Sequence, residues 1–484
     1  LFLAIAAHRA ARYVERVMLP VRWRSRNAPR RAAELACESH AVPNALPMTA
    51  TVQRPTGARY VVLALVVSMA VLLYLDRMAI SVAMPAMSED LGIPDTYVAD
   101  SVAAFFWCYA LLQIPAGWLG DRWGGRRALT MYVVAWSLAI AGMGFVSGLW
   151  SLMIMRGLLG VAQSGAYATT ASFLRRWMPF SIRGVANSAV SLGGRAGGVL
   201  APSLTALGMV AVARLGFDVA RWRPVFIVYG IVGLVWAGVF WWWFRDKPRE
   251  HRGVNAAEAL LIETDGSEIA ERVPDTFSIS PMNFVHSRSI WALTIVNFFI
   301  NLGWVMVGTL LPTYLIQVHG WEELNAGLAT SAAALAGMAG CLFGGVATDR
   351  LVRRLGLVWG RRAPCIFSYG GAAISYGLCF LMDAPWAIVS LLVLSSFLGD
   401  FGLGPLWCTY QDLGGPYSGT VLGVGNMCGN IGAAIGISLV PRLAAEFGWS
   451  ASFALSAGAY AIGALAWLVI DPRRAVYTAA PAVD

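Results

Sequence analysis

From Tyr60 to Ile470, apolar runs long enough to cross roughly 30 Å of hydrocarbon alternate with short polar joints. Inside lipid a backbone must satisfy its own hydrogen bonds, so such runs are expected to be helices. The pattern predicts spans near 60–84, 97–119, 127–146, 149–174, 184–209, 223–244, 290–317, 325–347, 363–382, 385–408, 419–441 and 449–470. The longest polar interval, Arg245 to Ser289, divides these six from six and contains Lys247-Pro248-Arg249-Glu250-His251-Arg252. The expected architecture is an all-α membrane protein of twelve transmembrane helices in two six-helix bundles, 59–244 and 290–471. Residues 1–58 lead in, 245–289 link the halves, and 472–484 form a tail.

Composition supports the lipid environment. Of 484 residues, 58% are hydrophobic and 13% charged, where a soluble chain carries about a quarter charged. The formal charge of +9 could point to nucleic acid, but the arginines sit in short clusters between apolar runs, where helix orientation in a membrane puts them. No nucleic-acid partner is implied. Lys247 is the single lysine, which reads as coding bias. Cys108, Cys341, Cys365, Cys379, Cys408 and Cys428 lie inside apolar segments without metal-ligand spacing, so they are expected as small core residues. Neither metal nor cofactor is implied. Residues 1–47 begin with Leu, are rich in Arg and Ala, and end just before Met48. They read as a start assigned too far upstream, with a targeting peptide as the alternative.

Arginine placement sets the expected orientation. Arg122, Arg126, Arg127, Arg175, Arg176, Arg183, the central linker, Arg350, Arg353, Arg354, Arg361, Arg362, Arg473 and Arg474 share one side of this topology. That side is expected to be cytoplasmic, with both termini inside a multi-pass protein of the cell's inner membrane. The opposite joints hold acids, and only Arg214, Arg221, Arg223 and Arg442 break the pattern. Trp241-Trp242-Trp243-Phe244 fits an interfacial aromatic belt.

The halves repeat. Gly117-Trp118-Leu119-Gly120-Asp121-Arg122-Trp123-Gly124-Gly125-Arg126-Arg127 follows the second run, and Gly344-Gly345-Val346-Ala347-Thr348-Asp349-Arg350-Leu351-Val352-Arg353-Arg354 follows the eighth. In each, an Asp and the following arginines can bond neighbouring helix ends, a latch that breaks when two halves rock apart. Asp121, Arg122, Arg126, Arg127, Asp349 and Arg350 are therefore expected to gate.

Buried charge gives the candidate chemistry. A mid-membrane Arg costs about 2.5–3.5 kcal/mol on the lenient scale and needs a partner or a watery cavity. Arg77, Arg156 and Arg195 lie within apolar runs, while the amino-terminal half offers one comparably buried acid, Asp76. An anionic ligand would balance the excess, and the planar guanidinium suits a carboxylate. Helical spacing puts Tyr74, Arg77 and Ser81 on one face of the first helix and turns Asp76 about 100° away toward a neighbour. Arg156, Gly160, Gln163 and Tyr167 form a polar stripe on the fourth. Asn426 and Asn430, one turn apart on the eleventh, could donate to a carboxylate or hydroxyl, or serve as interhelical glue. Arg195, among glycines, could equally pair with Asp400.

The loop signature resembles that of the major facilitator superfamily, Gly-x-x-x-Asp-Arg-x-Gly-x-Arg-Arg, with the second copy degenerate. Tyr74-Leu75-Asp76-Arg77-Met78-Ala79-Ile80-Ser81-Val82-Ala83 with Pro85 and Asp90-Leu91-Gly92 is similar to the first helix of its anion:cation symporter family. Arg156-Gly157-Leu158-Leu159-Gly160, Leu311-Pro312-Thr313-Tyr314-Leu315 and Gly425-Asn426-Met427-Cys428-Gly429-Asn430 extend the likeness. That family includes hexuronate, galactonate and glucarate carriers. The resemblance implies alternating access and uptake of organic anions, sugar acids among them, driven by protons or sometimes sodium, by a protein expected to be a monomer. Many proton-coupled members carry Glu where this chain has Gln163, and an amide cannot titrate. Asp76 and Asp400 are then the acids left for proton coupling. The alternatives are a sodium-coupled or uncoupled carrier, or a transporter-like receptor that binds without moving its ligand. An enzyme is not expected, since the five His are scattered and no His-Glu-x-x-His or Gly-x-Ser-x-Gly is present.

Overall fold

A computed structural model describes residues 54–214, 216, 220–265, 277–279 and 281–479. The leader, residues 1–53, lies outside the described residues, and so do the expectations placed on it. Twelve helical spans follow one another. Span 1 is Ala58–Leu91, and span 2 is Asp95–Leu111 with Gln113–Trp123, bent by 51°. Span 3 is Gly125–Met143, span 4 is Leu149–Gln163 with Ala166–Trp177, span 5 is Arg183–Ala213, and span 6 is Trp222–Trp243. In the second half, span 7 is Arg288–Val305, a π-turn at Met306–Leu310, and Leu311–His319. One run, Glu323–Leu378, supplies spans 8 and 9. Span 10 is Pro385–Phe401 with Leu403–Gly414, span 11 is Ser418–Phe447, and span 12 is Trp449–Ala466.

Glu323–Leu378 has 56 residues, about 84 Å if straight, which is far beyond one crossing. Gly356 breaks it with φ 76° and ψ 175°, a backbone that a residue with a Cβ resists. Gly124, φ 84°, makes the matching reversal between spans 2 and 3. Seven stretches are long and apolar enough on their own to cross a membrane, and bent span 2 makes an eighth. Two of these stretches, Leu324–Leu381 and Pro385–Phe447, hold two crossings each. Span 4 falls below that test because its pieces are short, and span 3 opens on Arg126 and Arg127.

The repeat seen in the loops extends to the helices. Spans 4 and 10 are both broken just past their midpoints, at Ser164-Gly165 and at Gly402. Spans 5 and 11 are both entered from a 3-10 turn, Phe180–Ile182 and Gly415–Tyr417, and both carry an internal proline, Pro202 and Pro441. Each half encloses its own apolar core. One contains Val66, Met69, Trp136 and Phe226, the other Val296, Tyr369, Leu392 and Trp467. Trp407 packs against both.

The start of the segment between the halves folds back onto span 1. Its helix Ala256–Thr264 is N-capped by Asn255, whose side chain accepts from the Glu258 amide at 3.0 Å. Glu258, fully buried, accepts from the amides of Ala58 and Arg59, both at 3.1 Å, from the Arg59 guanidinium at 3.2 Å, and from the Thr56 hydroxyl. A linker carboxylate thus satisfies the open amides that begin span 1. A short antiparallel pair, Phe277–Ile279 with Tyr477–Ala479, ties the linker to the tail. At the end opposite the arginine clusters, Arg223 breaks the charge pattern with a local reason: it donates to Asp90 at 2.7 Å and to the Val146 carbonyl at 2.7 Å.

Candidate functional site

Span 1 delivers Arg77 into an aromatic box. Its guanidinium lies 4.4 Å from the Tyr109 ring centre, 5.0 Å from Phe105 and 5.1 Å from Tyr74, and donates to the Gln163 side-chain oxygen at 3.4 Å. Arg156 of span 4 is fully buried and sits 4.9 Å from the same Phe105 ring. Phe105 is therefore shared by two guanidiniums. None of the three Arg156 nitrogens has a hydrogen-bond partner, nor does Arg77 Nε. Among the described residues the ion pairs belong to other arginines, Arg59, Arg195, Arg223, Arg249, Arg361, Arg473 and Arg474. Cation–π contact recovers about 0.5–2 kcal/mol per pair, well short of what two desolvated cations cost. The arrangement is short of negative charge.

The stripe expected on span 4 forms. Span 4 comes close enough to span 2 that a Cβ on Gly160 would meet the Phe105 carbonyl at 2.3 Å, and this brings Arg156 onto the ring. Gln163 faces span 1, where its amide donates to the Leu73 carbonyl at 3.3 Å while its oxygen receives Arg77. Tyr167 meets Tyr74 edge-on at 6.4 Å and Trp407 of span 10 at 5.2 Å. The Tyr74–Tyr167–Trp407 row thus runs from one half to the other. Ser81 does not join: it is exposed, and its hydroxyl bonds the Met78 carbonyl of its own helix.

Asp76 turns away from Arg77, as its angular position requires, and lies beside Trp136 of span 3 with Oδ1 left without a hydrogen bond. Arg195 is paired with Asp400 of span 10, Nη2 to Oδ1 at 2.5 Å, across the boundary between halves. Of the two roles open to Arg195 in the sequence, the ion pair is the one the geometry displays. Asn426 and Asn430 lie on span 11 of the other half. Asn430 donates back to the Asn426 carbonyl at 2.8 Å, near an amide cluster on span 7. In that cluster Asn301 bonds Asn297 at 2.8–2.9 Å, Asn297 donates to Tyr410, and a Cβ on Gly429 would meet Asn301 at 2.9 Å.

The two loop aspartates make reciprocal contacts. Asp121 accepts from the Gly419 amide at 3.1 Å and from the Thr420 amide and hydroxyl, both at 2.7 Å, at the start of span 11. Asp349 accepts from the Gly184 and Val185 amides, both at 2.9 Å, at the start of span 5. Each carboxylate caps a helix of the other half, where open amides and the helix dipole favour an anion. Bare backbone brings those ends together: a Cβ on Gly117 would lie 2.5 Å from the Gly419 carbonyl, and one on Gly184 2.6 Å from that of Gly345. Asn187 and Gln411 exchange amide hydrogen bonds at 3.1 Å across the same seam. Two arginines of the first motif copy stay on their own side. Arg126 donates to the Trp241 carbonyl at 2.7–2.9 Å and its amide to Asp246, while Arg122 lies 5.2 Å from the Trp118 ring.

Sequence reasoning overlooked Phe105, Tyr109, Trp136 and Trp407. Phe105 and Tyr109, one turn apart in Phe105-Phe106-Trp107-Cys108-Tyr109, read as lipid-facing bulk unless the arginines opposite are known. Asn297 and Asn301 repeat the one-turn amide spacing that drew attention to Asn426 and Asn430, and that signal could have found them.

Two helical halves closed against each other at one end, with uncompensated guanidiniums held within the membrane-crossing helices, have the build of a membrane transporter. The chain belongs to the Major Facilitator Superfamily, which matches residues 66–437. It is 30% identical over 421 residues to the probable sulfoacetate transporter of Cupriavidus necator, covering 86% of this chain and 94% of that relative. It is 27% identical over 427 residues to the D-galactonate transporter of Escherichia coli, covering 86% and 96%. Among solved structures, a proton:xylose symporter superposes with a TM-score of 0.65 at 15% identity, over 85% of this chain and 95% of the other. The human organic anion transporter MFSD10 does so with 0.63 at 16% identity, over 86% and 100%.

Proposed function

We propose that the protein is a secondary active carrier of a small organic anion, a sugar acid or a related short acid, moved by alternating access and coupled to protons. The observation that carries this is the Arg77–Phe105–Arg156 arrangement, two buried cations around one ring that meet no carboxylate of the described residues. Gln163 and the Tyr74–Tyr167 pair border it, and Asn426 and Asn430 supply amides from the other half. The relatives carry names of sulfoacetate, galactonate, galactarate or glucarate, and hexuronate transporters. These cargoes share an acid group on a short polar or carbon frame. Substrate carboxylate or sulfonate on Arg77 and Arg156 would supply the missing charge.

The arginine-rich end is the cytoplasmic one in this proposal, with the protein a monomer in the inner membrane and both termini inside. Asp121 and Asp349 then hold the cytoplasmic end shut. Asp76 and Asp400 are the buried acids able to carry a coupled proton. Gln163, where relatives often have a titratable group, favours as second reading a sodium-coupled or uncoupled carrier.

Uptake by proteoliposomes tests this, with labelled D-galactonate, D-glucarate, D-glucuronate and sulfoacetate offered with and without an inward pH gradient. Arg77→Ala and Arg156→Ala are expected to abolish uptake at normal expression. A purified carrier that prefers neutral or cationic solutes overturns the anion assignment.

A further inference from the structure

The Arg195–Asp400 pair occupies a level of its own. A Cβ on Gly193 would meet the Val67 carbonyl at 2.7 Å and one on Gly197 the Val71 carbonyl at 2.3 Å, so spans 1 and 5 run side by side in parallel. Residue 195 is therefore level with residue 69 of span 1, and Arg77 lies roughly 12 Å further along the axis. In the other direction, the Gly184 amide held by Asp349 is roughly 16 Å away along span 5. The ion pair thus bridges the halves between the arginine box and the loop latches.

Its chemistry is asymmetric. Asp400 is buried, with Oδ1 on Arg195 and Oδ2 without a partner, in space that exists because residue 337 is Gly, where a Cβ would lie 2.2 Å from Oδ2. The Arg195 side chain is 24% exposed. The ionisable groups facing Asp400 are Cys341 of span 8, Tyr369 of span 9 and Tyr460 of span 12, with Ser396 one turn away on its own helix. None of these supplies a positive charge. Arg195 is thus the one cation recorded against Asp400 among the described residues, and it sits on the other half.

We propose that Arg195 and Asp400 form an inner gate beneath the arginine box, and that Asp400 carries the coupled proton. This rests on the organic-anion reading above. When the halves part, or when the acid group of the substrate reaches Arg195, Asp400 loses its cation. A carboxylate stranded in that setting is neutralised by a proton. The step balances: substrate carboxylate forms the ion pair with Arg195, the Arg195–Asp400 pair breaks, and one proton from the side the carrier faces joins the Asp400 carboxylate. Re-pairing after substrate leaves returns the proton to the opposite side. The device supplies what Gln163 cannot, and Asp76, set against Trp136 within one half, does not sense the separation of halves.

The test uses the full-length carrier in detergent and in proteoliposomes, with D-galactonate, D-glucarate and sulfoacetate as probes and a pH dye as reporter. Wild type is expected to take up about one proton per anion bound, so that affinity falls roughly tenfold per pH unit on the alkaline side. Asp400→Asn is expected to bind without proton uptake and to exchange anion across the membrane without accumulating it under a pH gradient. Should Asp400→Asn misfold, Arg195→Gln with Asp400→Asn removes both charges and leaves no stranded arginine, and the same uncoupling is expected. Undiminished proton uptake in either variant overturns the proposal. Wild type that binds none of the three probes defeats the organic-anion reading first. Wild type that moves anion without protons defeats the gate and the proton coupling and leaves the organic-anion reading standing.

Discussion

At the scale of single residues, the site is built from charges that sequence shows and rings that it hides. Arg77, Arg156 and Gln163 were legible because charge and amide are conspicuous inside an apolar run. Phe105, which both guanidiniums share, was not, because an aromatic in such a run has lipid as its ordinary neighbour. Gln163 lends itself to a signed prediction. A carboxylate in its place, Gln163→Glu, would sit within bonding range of Arg77 and compete with an incoming anion. Protonation would release Arg77, so anion affinity in the variant is expected to fall at neutral pH and recover as pH is lowered through the new carboxyl's titration. Binding measured by calorimetry across pH checks this, and an affinity equal to wild type at every pH refutes it.

At the scale of elements, apolar run length located all twelve spans but passed over the breaks at Leu112, Ser164-Gly165, Met306–Leu310 and Gly402. Hydropathy averages over a window and does not register one unbonded carbonyl, whereas a break is a matter of two or three backbone groups. The role of the linker helix was equally invisible, since Glu258 sits far in sequence from the amides it caps. Burial alone would raise the Glu258 carboxyl. The hydrogen bonds from Thr56, Arg59 and Ala58 and the Arg59 charge outweigh it and hold the group below the ordinary glutamate value. A depressed folded value means that the stabilisation is present above the unfolded titration, near pH 4.3, and is lost as pH falls through the lower folded one. Glu258→Gln is therefore expected to cost about 1–3 kcal/mol at neutral pH. The gap to wild type should hold to about pH 5 and close only in stronger acid. Thermal unfolding in detergent at a series of pH values measures it.

At the scale of the whole molecule, two halves grip each other through an exchange of caps, Asp121 onto span 11 and Asp349 onto span 5. The duplicated Asp-Arg motif was readable along the chain, but which groups it bonds depended on how the halves face each other. Aspartate reaches across, while Arg126 is spent on its own half. Since the caps are equivalent, either alone retains half the grip, and removing both is expected to release the end. Ser188 is fully buried in that seam. A cysteine placed there by Ser188→Cys is expected to react with a water-soluble maleimide at least tenfold faster in Asp121→Asn/Asp349→Asn than with both aspartates present, a shift of about 1.4 kcal/mol in the opening equilibrium. Equal rates, followed by mass spectrometry of the labelled peptide, would remove the caps from the closing mechanism.

Glycine against glycine at residues 117 and 419, and again at 184 and 345, puts main chain on main chain where the two halves meet. A door hung on peptide groups holds no memory of what passes through it. Side chains that choose the cargo are free to drift over generations while the frame keeps its fit, and one scaffold can be refitted for new acids without being rebuilt.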